Sequence, residues 1–195
     1  TAGTIDGAEE TLYWIGGTEG SWNDGNNWSL TAQGSPAGKI PSNGTRVVFE
    51  GTEGGNTAVN LSASVNAFSV NLFGDQVVTF DLGGNNINVT NGFRVSNQIT
   101  EIRNGTLTFE NDLSNAQIIE FGQTAFENVG LNFNTGNWRL IAAEKLGDVR
   151  IDEANLEVAL ESLEVNLLEM VGAGSIDGSF TSITFEEDFI AEPQA

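Results

Sequence analysis

Short apolar–polar–apolar triplets, spaced by turn formers at intervals of about seven to eleven residues, fill this chain between residues 57 and 141. Val59-Asn60-Leu61, Val78-Thr79-Phe80, Ile87-Asn88-Val89, Leu107-Thr108-Phe109, Ile119-Glu120-Phe121 and Leu131-Asn132-Phe133 all follow the pattern. Period-two alternation sends successive side chains to opposite faces, so each triplet reads as a strand with one dry and one wet side. Between the triplets stand Gly74-Asp75, Gly83-Gly84-Asn85-Asn86, Asn91-Gly92 and Asn104-Gly105. Gly and Asn accept the positive φ of tight turns at low cost.

About twenty residues bring a similar pair of strands around again, which is the signature of a stacked architecture. The reading is an all-β chain: a short right-handed parallel β-helix (β-solenoid) with a Trp/Gly-rich N-terminal cap. An antiparallel β-sandwich has similar strand spacing and is the alternative. Very short strands, Asn-rich corners and the lack of a clear hairpin pattern favour the solenoid. Residues 149–171 fit two periods. Leu156, Leu160, Leu163, Leu167 and Met170 make a helical stripe, while Leu156-Glu157-Val158 and Leu163-Glu164-Val165 alternate as strands do. The β-branched residues on the alternating face and the flanking strands tip this stretch toward strand.

The organisation expected is an extended segment at 1–11, a cap at 12–55, solenoid rungs at 56–190 and a mobile tail at 191–195. The opening Thr1-Ala2-Gly3-Thr4 reads like the start of a mature exported chain.

Charge narrows the partners. Seven basic residues stand against 27 acidic ones, for a formal net charge of −20. No basic residue follows Arg150. Nucleic acid and anionic lipid are excluded as partners, because binding either needs cationic side chains to meet phosphates. No apolar run is long enough to insert into a membrane. The chain has no Cys and no His, which removes disulfides, thiolate chemistry, the usual zinc ligands and any Ser-His-Asp triad.

The head concentrates the aromatic residues: Trp14, Trp22 and Trp28 lie among Gly16, Gly17 and Gly20, and Phe49 ends a strand-like Val47-Val48-Phe49. The order Trp14-x-Gly16-Gly17, Gly20-x-Trp22, Asn27-Trp28-Ser29 and Pro41 before Val47-Val48-Phe49 resembles the opening of bacterial surface β-solenoids. These are autotransporter-type passenger repeats and exported proteins of the PEP-CTERM-associated kind. The resemblance covers roughly residues 12–92 and implies a right-handed β-helix at the cell surface or outside the cell. Where that pattern is often acidic, just before the strand, this chain has Arg46.

A solenoid end needs covering, and three indoles, each burying about 150–250 Å², make a lid for it. A sugar-stacking platform is the competing use of the same rings. Asp24 and Asn26 form an oxygen-rich turn that suits calcium, without the ligand spacing of an EF-hand. No cofactor is otherwise required. Asp75, Asp81, Glu101, Glu110, Asp112 and Glu120 are carboxylates for glycoside cleavage if they cluster, or a solvated acidic face if they do not. Ile5 and Leu12 are apolar anchors in a polar leader, suited to docking on a neighbouring copy as an added strand.

The function expected is therefore a non-enzymatic, extracellular structural protein, self-associating into a filament, matrix or surface layer. Its main partner is further copies of itself, with surface glycan as a second. The alternatives are a glycan-binding or glycan-cleaving β-helix and a fragment of an adhesin passenger.

Overall fold

The computed structural model describes residues 10–50, 56–74, 77–96, 99–178 and 182–191. The chain enters through β1 (Glu10–Trp14) and β2 (Glu19–Ser21), a single 3-10 turn at Gly25–Asn27, then β3 (Trp28–Ser29) and β4 (Thr45–Glu50). The body follows with β5 (Thr57–Asn60), β6 (Val65–Phe73), β7 (Val78–Asp81), β8 (Asn86–Val95) and β9 (Ile99–Glu110). It ends with β10 (Gln117–Ala143), β11 (Leu146–Val158), β12 (Ser162–Met170), β13 (Ser175–Gly178) and β14 (Ser182–Ala191).

These strands stack into three parallel ladders, the three sides of a β-solenoid. On one side Val65 pairs with Ile87, then Leu107, Leu131, Val149, Leu168 and Phe189, in steps of 22, 20, 24, 18, 19 and 21 residues. A second ladder joins β2, β5, β7, β9 and β10 through Gly20, Val59, Phe80, Ile102 and Phe126. The first face carries β1, β4, β6, β8 and β10 through Leu12, Val47, Val70, Phe93 and Ile119. Among the described residues the antiparallel contacts are β1 with β3 and a Ser29–Pro36 bridge, both in the head. The sandwich is thereby excluded. The 149–171 stretch is strand.

The alternation does what period two requires: Ile87, Val89, Leu107, Phe109, Leu131 and Phe133 are buried, while Asn88 and Asn132 between them are not. Equivalent side chains then stack rung upon rung, as with Phe109 on Phe133 at 4.9 Å between ring centres and 16° between planes. Outside, the amides form ladders of their own: Asn88 donates to Asn66 at 2.9 Å, and Asn155 to Asn137 at 3.0 Å.

Corners are made in two ways. Some are single residues of positive φ, as at Asn104 (60°) within β9. Others are bulges inside a continuous strand, where the register slips between Ala67 and Ser69, Phe133 and Thr135, and Val165 and Leu167. An extra unpaired residue bends a strand without ending it, and β10 runs 27 residues with one such slip at Phe133/Thr135 and positive φ at Gly122, Asn128 and Gly136.

Two expected boundaries move. The first ladder strand begins at Glu10, so residues 10 and 11 belong to a rung and not to a leader. Within 12–55, β1, β2 and β4 are rungs as well, and the cap proper is the excursion between β2 and β4. Ile5, Asp75 and residues 192–195 lie outside the described residues.

Candidate functional site

The excursion after β2 closes one end of the solenoid, and nearly every residue of Ser21–Trp28 has an assigned task. Asn23 Oδ1 accepts from the backbone N–H of Ser62 (2.9 Å) and Ala63 (3.3 Å), covering the corner above β6. Asn27 Nδ2 donates to the Ser21 carbonyl at 2.9 Å, meeting a group at the end of β2. Trp28 Nε1 donates to the Trp22 carbonyl at 2.8 Å and ties the loop back on itself. At Gly25 the strand of chain at Gly38–Lys39 passes so close that a Cβ would stand 2.6 Å from its backbone.

Beneath this loop the indoles interlock. Trp14 and Trp28 meet edge to face at 5.1 Å, and Trp22 and Trp28 at 5.0 Å. Phe49 lies 5.7 Å from Trp28 and 5.2 Å from Phe80, carrying the aromatic column into the first rungs. Trp22 and Trp28 are fully buried and Trp14 nearly so. Rings this enclosed cannot stack on a sugar, so they serve as packing. Gly16 and Gly20 are the cradle of Trp14: a Cβ at Gly16 would be 2.4 Å from its ring, and one at Gly20 3.0 Å. Gly17 has open space but φ of +68°, so its role is conformational. The fourth indole, Trp138, is a mid-solenoid core residue against Phe109.

The oxygen-rich turn is committed to local structure. Asp24 Oδ1 accepts from both the backbone N and Nδ2 of Asn26, each at 2.9 Å. Among the described residues no three Asp or Glu side chains gather closely enough to hold a metal ion. Leu12 is fully buried in the chain's own core, paired with Val47, and offers nothing to a neighbour.

Carboxylates on the outer surface are engaged along the ladders. Arg103 Nε stands 3.5 Å from Asp81 Oδ2, and its Nη1 4.0 Å from Glu101 Oε1. Glu110 accepts from Asn134 Nδ2 at 2.6 Å. Glu110 and Asp112 line one shallow cavity together, and Glu120 stands in ladder register with Arg94.

A feature that sequence reading did not assemble lies on the first face. There residues of β1, β4, β6, β8 and β10 enclose a lateral groove of about 480 Å³. Its floor is Val48 and Ser69, 5% and 6% exposed, and its ends carry Tyr13 and Phe73. Arg46 and Arg94 reach into it from rungs two ladder steps apart, with Asn71 between them in register with Arg94. Gly92 keeps the wall thin, since a Cβ there would meet the Ile118 carbonyl at 3.0 Å. The signal in the sequence was Arg46 at a position often acidic in the resembling pattern. Its convergence with Arg94 required the ladder register.

Compared with protein-family models, curated proteins and solved structures, the chain matches none. The geometry offers a covered first rung, a last described rung paired on one side and a lateral groove.

β13 and β14 are the last of the described strands. β13 pairs with β11 and β14 with β12, and among the described residues no strand pairs with the far side of either. No helix among the described residues is long and apolar enough to cross a membrane.

Proposed function

We propose that this chain is a non-enzymatic extracellular structural protein that associates with copies of itself, end to end, into a filament, matrix or surface layer. One observation supports the reading: among the described residues β13 and β14 each have one strand partner, while at the indole end the excursion after β2 folds back so that β3 pairs with β1. An edge strand presents a row of backbone donors and acceptors that invites another strand. The donor in this reading is the segment before β1, with Ile5 as its apolar anchor, because Leu12 and the rest of β1 are already in use at home. Addition of one copy's leader to the next copy's last rung is a heterologous contact, which propagates instead of closing on itself.

Charge favours the same polarity. β13 and β14 carry Asp177, Glu186, Glu187 and Asp188 and no basic residue, so two last rungs facing each other repel. Diffuse cation bridging, by calcium among others, relieves the remaining repulsion without any dedicated site.

Sedimentation velocity on the full chain tests the reading, over a wide concentration range and with and without calcium. The expected result is a concentration-dependent ladder of oligomers that disappears when residues 1–9 are deleted. A single monomer boundary at every concentration would contradict self-association, and oligomers that survive the deletion would contradict the leader as donor.

A further inference from the structure

This chain buries most of its aromatic rings, and its most exposed one lies in the lateral groove of the first face. Among the described side chains Phe73 is the one Phe or Trp left exposed, at 44%. The single tyrosine, Tyr13, is half-buried and lines the same groove. Tyr13 is in register with Val48 and Val48 with Asn71, and Phe73 stands two residues beyond Asn71. At a strand spacing of about 4.8 Å and a rise of about 3.3 Å per residue, the backbones carrying the two rings are about 12 Å apart.

Between the rings the groove is polar and its charges are balanced. Arg94 stands in register with Glu120, Arg46 is engaged within the chain, and Glu50 adds a carboxylate to the lining. The amides are held by their neighbours. Asn71 Nδ2 donates to Ser69 Oγ at 3.1 Å, and Asn91 Nδ2 to Gln117 Oε1 at 2.7 Å. Each bond fixes an amide's orientation and leaves its second N–H and its Oδ1 to meet a ligand.

These features select by exclusion. The backbone of the groove floor is spent on the ladders, so an added protein strand finds no donors or acceptors there. A charged ligand meets both signs at close quarters and gains little over solvent. A purely apolar ligand leaves the amides unmet. What fits is an uncharged molecule with apolar faces for the rings and hydroxyls that both donate and accept.

We infer that this groove binds a neutral, extended oligosaccharide, with one sugar against Phe73, another against Tyr13, and hydroxyls met by Asn71 and Asn91. The groove lies on a side of the solenoid, so this binding stands or falls independently of end-to-end association.

Isothermal titration of the full chain with cellohexaose, chitohexaose and mannohexaose provides the test, with hexagalacturonate as the charged comparison. Saturable binding of at least one neutral hexamer is expected, with an affinity that added salt leaves unchanged. Phe73→Ala, at an exposed position, should weaken that binding about tenfold with an unaltered melting curve, and Phe73→Tyr should retain it. Leu113→Ala removes a comparably exposed apolar side chain, at 40%, outside the groove and should leave affinity alone. No saturable binding of any neutral hexamer at millimolar concentration would overturn the site. Hexagalacturonate binding as tightly as the neutral hexamers, or an affinity that falls with salt, would make charge the determinant and overturn the neutral reading. Full binding by Phe73→Ala would place the sugar elsewhere, and an equal loss in Leu113→Ala would reduce the effect to general apolar contact; either overturns the groove as the site.

Discussion

At the scale of single residues, the head glycines divide into two kinds that substitution separates. Gly16→Ala drives a methyl into the Trp14 ring, from which a Cβ would stand 2.4 Å, and overpacking of this sort costs about 1–3 kcal/mol. Gly17→Ala meets no atom but forces an L-residue to φ of +68°, at about 1–2 kcal/mol. Urea denaturation of the single variants should give similar losses. In combination with Trp14→Leu, the Gly16 loss should largely vanish and the Gly17 loss persist, a coupling that a double-mutant cycle reads directly. Trp28→Phe removes the 2.8 Å bond to the Trp22 carbonyl and leaves that group unmet, for an expected loss of about 1–3 kcal/mol from this term. The packing role of Trp14, Trp22 and Trp28 was legible because clustered indoles beside glycines have few other uses at the end of a stack. The role of Leu12 was not: a lone leucine in a polar stretch looks the same whether it joins a core rung or waits for a partner, and only its pairing with Val47 decides.

Elements tell a similar story. Triplets such as Leu107-Thr108-Phe109 identify themselves, because only a strand puts both apolar residues on one face. Leu156–Leu167 did not, since a 4-3-4 spacing and strict alternation coexist in the same letters. Register decides for the strand: Leu156 and Val158 pair with Trp138 and Leu140 of the rung before, and Val165 with Leu146, all of them buried. Corners made by bulges, such as Ala67/Ser69, carry no turn residue and were invisible, as was the continuity of β10 through its corners. The stacked interior predicts where such a fold is fragile. Phe133 sits fully buried on Phe109, and Phe133→Ala should cost about 3–5 kcal/mol. Asn104 turns a corner with φ of 60°, so Asn104→Gly should be tolerated while Asn104→Val destabilises by about 1–2 kcal/mol. Thermal melts of these three variants check both expectations.

Across the whole molecule, charge opposes the association proposed above. A net charge of −20 opposes compaction and contact between copies alike, and salt screens both over a Debye length of about 10 Å at 0.1 M. Raising sodium chloride from low to physiological strength should therefore raise the melting temperature and promote association together. Acidification toward the isoelectric point near 4.1 should do the same for association, visible as rising light scattering. In the proposed assembly the copies are joined through the polarity of the solenoid: the excursion between β2 and β4 covers one end, and among the described residues β13 and β14 have one partner each. Amide hydrogen exchange at low and high protein concentration measures this most directly. The last rung, β13 and β14, should gain protection as concentration rises while β2 and the Ser21–Trp28 lid stay constant. Protection gained at the lid, or gained nowhere, would contradict growth from the open end.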